Sequence, residues 1–75
     1  MKVEKLNKKL SSKFKSVEEK DNKIIFKTFY KNGNLKQWYS IYEVENGEFR
    51  LTRGGFQLRD GSIDLILETC LNYVD

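Results

Sequence analysis

The residues that could carry chemistry are a lone cysteine, a row of carboxylates, a glycine pair between two arginines, and scattered lysines and aromatic rings. Cys70 is the only thiol, and the chain contains no histidine. A reactive thiolate needs a base or a positive neighbour, and zinc normally draws on several Cys and His ligands. Set at helical spacing among Ile66, Leu67, Leu71 and Val74, Cys70 reads as a small apolar core residue. Asp60, Asp64 and Glu68 recur every four residues and could offer oxygen to a hard cation, but the same spacing marks one solvated face of a helix. Gly54-Gly55 lies between Arg53 and Arg59 and could cradle a phosphate. The lysine and the strand-to-helix spacing of a phosphate loop are missing, so the pair reads as a bend. No nucleophile is placed beside a base. The sequence therefore predicts a protein that is not an enzyme, with no cofactor, no metal and no small-molecule substrate.

What remains is recognition chemistry, and the elements that would position it can be read in turn. Val3, Leu6, Leu10, Phe14 and Val17 recur at spacings of three and four, which predicts an amphipathic helix over 2–20. Lys2, Lys5, Lys9, Lys13 and Lys20 fall on one flank beside that stripe. Their stems can cover the rim of a core, or their ammonium groups can line up against phosphates or an acidic partner. Asp21-Asn22 then ends the helix, because both residues tolerate the left-handed conformation of a C-cap.

Asn32-Gly33 and Asn46-Gly47 each sit between runs rich in aromatic and branched residues and read as type I′ hairpin turns. They predict antiparallel strands over 23–31, 34–45 and 48–53. Two-residue loops would pair Tyr30 with Leu35 and Val44 with Phe49. That register puts Ile25, Phe29, Trp38, Tyr42, Val44, Phe49 and Leu51 on a core face, and Ile24, Phe26, Tyr30, Leu35, Tyr39, Ile41 and Arg50 on the other. A three-residue first loop with a bulge at Gly33 would flip the first strand instead. Past the bend at Gly54-Gly55 and a short extended segment, Ser62 is placed to cap a second helix over 62–73. Asp64 complements that helix's dipole, and Ile63, Ile66, Leu67, Cys70, Leu71 and Val74 form its apolar face.

The whole predicts one small α+β domain over 1–75: helix, three-stranded antiparallel meander, helix (αβββα). That element order is similar to the double-stranded-RNA-binding domain in topology. Asp60, Gly61, Ser62, Ile63 and Asp64 stand where that family opens its last helix with lysines, so the resemblance carries no function. At 75 residues the chain has room for one modest core, and 33% charged residues still leave enough aromatics to fold. One cysteine, no signal-peptide core and no long apolar run predict a cytoplasmic protein with no membrane role. Lysine outnumbers arginine, and proline and histidine are absent, as in AT-rich bacterial or phage genomes.

The functional expectation is a protein-binding module that dimerises or modulates a partner through an open sheet face bearing Tyr30, Tyr39, Ile41 and Arg50. The alternative is a nucleic-acid-binding domain using Lys5, Lys9, Lys13, Lys27, Lys36, Trp38 and Arg53. The formal net charge of +3 is modest for such a role, and the chain's basic residues are mainly lysine, which lacks arginine's bidentate reach.

Overall fold

The computed structural model describes residues 2–74, with the backbone alone for Lys2 and Val3. The expectations placed on the side chains of Lys2 and Val3 lie outside the described residues. The chain is an α+β domain in the order α1 (Lys2–Ser11), β1 (Ser16–Lys20), β2 (Lys23–Phe29), β3 (Leu35–Glu45), β4 (Glu48–Arg53), β5 (Phe56–Gly61) and α2 (Ile63–Tyr73). The strands form one antiparallel sheet in sequential order, β1-β2-β3-β4-β5. The meander therefore has five strands, where the sequence predicts three.

The first extra strand comes from the end of the expected first helix. That helix stops at Ser11, where Ser12 Oγ donates to the Lys9 carbonyl and Phe14 N closes on Leu10 O at 2.8 Å. Ser11 and Ser12 are weak helix formers that compete for backbone hydrogen bonds. Phe14 and Val17 still face the core, but from a loop and from β1. Asp21 and Asn22 do take left-handed φ values, 51° and 62°. They use them as the central pair of a two-residue hairpin turn joining Lys20 to Lys23, rather than as a helix cap. Gly54 and Gly55, with φ of 57° and 89°, turn β4 into β5 in the same way. That turn makes the short segment after Arg53 the fifth strand.

The two Asn-Gly pairs behave differently, because only their glycines have positive φ. In the first, Gly33 N bonds Tyr30 O and Tyr30 N bonds Asn34 O, which closes a three-residue loop. A second irregularity past Thr28 cancels the offset, so Ile24 pairs with Ile41 and Phe26 with Tyr39. In the second, Glu45 pairs with Glu48 but Glu43 pairs with Phe49, leaving Val44 in a bulge. That one inserted residue moves Phe49 and Leu51 onto the face of Tyr39 and Ile41. Trp38, Tyr42 and Arg50 go to the opposite side.

Both helices cover the first of these faces. Leu6, Leu10, Phe14, Ile24, Phe26, Tyr39, Ile41, Phe49, Leu51, Ile66, Leu67, Cys70 and Val74 make one buried cluster. Within it the Phe26 ring lies between Phe14, at 4.6 Å, and Tyr39, at 5.0 Å. Ser62 caps α2 by accepting from Leu65 N at 3.2 Å. The far end of α2 is held by Lys13, whose ammonium donates to the Cys70, Leu71 and Val74 carbonyls. A cation there satisfies orphan acceptors and the negative end of the helix dipole. No helix among the described residues is long and apolar enough to cross a membrane.

Candidate functional site

Nothing in the described fold covers the second face of the sheet, and its composition is set by the alternation of β2 and β3. Successive side chains leave a strand on opposite sides. Once Ile24, Phe26, Tyr39 and Ile41 point into the core, Ile25, Lys27, Phe29, Trp38, Ser40 and Tyr42 point out. The β4 residues Arg50 and Thr52 join them through their pairing with Tyr42 and Ser40. At the centre, Ser40 and Thr52 are buried, although no helix lies over them, and their hydroxyls bond each other at 2.5 Å. They floor a hollow of about 240 Å³ walled by Ile25, Trp38 and Tyr42 and rimmed by Lys23 and Gly55. The bond between the two hydroxyls uses one of their two O–H donors, which lowers the cost of bringing an apolar group over the floor.

Charges around the hollow are fixed by neighbours. Arg50 grips Asp60 with two parallel bonds, Nε to Oδ1 and Nη2 to Oδ2, each 2.9 Å. This fork geometry is the strong form of a charge-assisted pair. It holds the Asp60 carboxyl below the ordinary carboxylate value, and it raises the Arg50 guanidinium further above its own, with the Tyr42 hydroxyl contributing. The Lys23 ammonium sits 5.0 Å from the Tyr42 ring centre.

The residues singled out from the sequence are dispersed by this arrangement. Tyr39 and Ile41, expected on the open face, are buried in the core with 7% and 0% exposure. The Val44 bulge is the reason, since the sequence pattern alone gives no sign of the inserted residue. Arg50 does lie on the open face, tied to Asp60. Tyr30 is exposed at the tip of the β2–β3 hairpin with the Lys36 ammonium 6.0 Å from its ring. Lys5 pairs with Asp64 across the two helices at 3.2 Å, and Lys13 caps α2. Lys9 is exposed on α1, over the covered side. Arg53 lines one hollow with Tyr39, Arg59 and Tyr73 and another with Gln37, Trp38 and Phe56. Only Lys27, Lys36 and Trp38 of the basic and aromatic set share the open face and the hairpin that extends from it. Among the described residues no three Cys, Asp or Glu side chains gather as a metal site. Asp60 and Asp64 each face a basic partner instead. Burial pushes the Cys70 thiol up to about 12 despite the nearby Lys13.

The Ser40–Thr52 floor had no signal in the sequence. Small polar residues within a strand mark a hollow only when the register shows them side by side. Fold and site together define a small α+β domain whose five-stranded meander is covered on one face and open on the other. No protein-family model, no curated protein and no solved structure matches the chain.

Proposed function

We propose that this chain is a non-enzymatic protein-docking module, and that its open sheet face receives a partner protein presenting an apolar side chain flanked by carboxylates. The observation that carries this reading is the hollow between Trp38 and Tyr42, floored by the Ser40–Thr52 hydroxyl pair. It combines aromatic walls, a floor of two small hydroxyls bonded to each other and a lysine at its rim, with aromatic side chains of the kind favoured for a binding anchor. Lys20 and Lys23 border the face on its β1–β2 side, where an acidic rim on the partner would meet them. Five strands at about 4.8 Å spacing give a face roughly 20–24 Å wide. With strands of about six residues at about 3.4 Å each, the face covers roughly 400–500 Å², which is small beside the ~800 Å² per partner of a standard stable interface, so the contact belongs to the transient class.

The test is affinity capture with the wild-type chain and with Tyr42→Ala and Trp38→Ala variants of unchanged fold. The captured protein is then purified and titrated calorimetrically. One-to-one binding weakened about tenfold or more by either variant supports the docking face, since a central anchor carries about 2 kcal/mol or more. Capture of no protein that the Tyr42→Ala variant loses overturns it.

A further inference from the structure

Positive charge is not spread evenly along this chain. Between Asn22 and Tyr42 there are four lysines and no carboxylate, so this stretch carries more than the whole formal net charge of +3. In the fold it is the β2–β3 hairpin, and part of that hairpin leaves the sheet. β1 begins its pairing at Ser16 with Lys27, and β4 ends its pairing with β3 at Tyr39. From Thr28 to Gln37 the two strands therefore run on as an unaccompanied ribbon. At about 3.4 Å per residue, the eleven residues of β3 span roughly 37 Å, close to the 39 Å longest extent of the molecule.

This finger exposes rings rather than hiding them. Phe29 is 42% and Tyr30 56% accessible. Beside them lies a hollow of about 330 Å³ lined by Phe14, Phe29 and Tyr30 together with Lys13, Lys15, Lys27 and Lys31. Lys13 is committed to the end of α2. Lys15, Lys27 and Lys31 have no carboxylate partner among the described residues. They converge with Lys15 coming from the loop after α1, Lys27 from the point where β1 begins to pair with β2, and Lys31 from the finger itself.

We propose that this hollow is a binding site for single-stranded nucleic acid, with the three lysines against successive phosphates and bases stacked on Phe29 and Tyr30. It is a second activity, placed at the finger rather than in the Ser40–Thr52 hollow. An acidic protein would satisfy the lysines but would also need apolar groups placed to match the rings. Each nucleotide of a single strand brings a phosphate and a flat base together, and stacking on an aromatic side chain tolerates any base. Lysine point charges on flexible stems suit backbone contacts that carry no sequence information.

The experiment is fluorescence anisotropy with a labelled 15-nucleotide oligo-dT, using the intact chain from 50 to 200 mM NaCl, and with polyglutamate of equal charge as competitor. Three phosphate contacts on a single strand predict a log–log salt slope of about −2, or about 20-fold weaker binding across that range. Lys15→Gln with Lys31→Gln should bring the slope to about −0.7. Phe29→Ala should weaken binding about tenfold with the slope unchanged. Phe29 is exposed, so this variant should keep the wild-type melting temperature. Displacement by polyglutamate as effective as by unlabelled oligo-dT would overturn the site as one for nucleic acid and leave an acidic protein segment as its occupant. Indifference to Phe29→Ala, or a slope unaffected by the lysine changes, would also overturn it. None of these outcomes depends on Tyr42, so the docking face stands or falls separately.

Discussion

Strand β2 sends Ile24, Phe26 and Thr28 to one side of the sheet and Ile25, Lys27 and Phe29 to the other, and the two rows meet different surroundings. The first row is buried on the side covered by α1; in the second, Ile25 and Lys27 are half-buried and Phe29 is exposed. Ile25 and Phe29 are as apolar as Ile24 and Phe26, so side-chain hydropathy does not choose between the sides. Register does. The paired irregularities of the first hairpin and the Val44 bulge of the second gather Ile24, Phe26, Tyr39, Ile41, Phe49 and Leu51 on one surface, which α1 and α2 then cover. The open face intersperses exposed and half-buried apolar residues with small and charged ones that keep it compatible with water.

The comparison can be broken most forcefully at Phe26. Replacing this fully buried ring with alanine should cost about 3–5 kcal/mol through lost burial and a cavity, a large share of what a domain this size has. Tyr42→Ala, on the open side, should cost less than about 1 kcal/mol. Urea unfolding with a common slope measures both, and similar midpoints would show that the two faces are not distinct.

The helices offer a smaller effect. Lys13→Met keeps most of the stem but leaves three carbonyls at the end of α2 without their donor. The expected loss is about 1–2 kcal/mol, with faster amide exchange in the last turn of α2. A variant as stable as wild type would show that Lys13 is free for other partners.

Smaller again are the effects of pH. Arg50 depresses the folded-state pKa of Asp60, so the pair's contribution is present above the unfolded aspartate value of about 4 and is lost as pH falls through the lower folded value. Asp60→Asn should melt below wild type at pH 7, and the gap should narrow progressively below about pH 4. A gap that stays constant to pH 2 would mean that the pair contributes nothing. Cys70 has the opposite sign. Its folded value is raised by burial, so it favours folding less as pH climbs past the unfolded thiol value of about 8.5. At pH 8 a thiol reagent should label native Cys70 about a hundredfold more slowly than the unfolded chain, because reaction waits on opening.

Much of the second helix was legible in the sequence, because Ser62, Asp64 and the spacing of Ile66, Leu67, Cys70 and Val74 all point to the same element. Its observed range, Ile63–Tyr73, lies within one residue of the expected one. The first helix shows how a period can mislead. Phe14 and Val17 continue the helical spacing by coincidence and reach the core from a loop and a strand. Glu18 and Glu19 in β1 are poor strand formers, so propensity gave no warning. Left-handed tolerance at Asp21-Asn22 was legible as a property but not as a hairpin, since a C-cap and a tight turn ask the same of the backbone. The candidate site was least legible. The exposure of Trp38 and the burial of Tyr39 depend on a single inserted residue at Val44, and a β-bulge has no reliable composition of its own.

Trp38 and Tyr39 are consecutive residues sent to opposite faces, so the difference in unfolding free energy between Trp38→Ala and Tyr39→Ala measures the assignment of faces directly. Tyr39 is 7% exposed and stacked on Phe26, whereas Trp38 is 39% exposed over the hollow. Tyr39→Ala should be the costlier by about 2 kcal/mol or more, because truncating a buried aromatic costs about 3–5 kcal/mol and a surface one much less. Equal costs, or a larger loss at Trp38, would contradict the assignment and return Tyr39 to the outer surface.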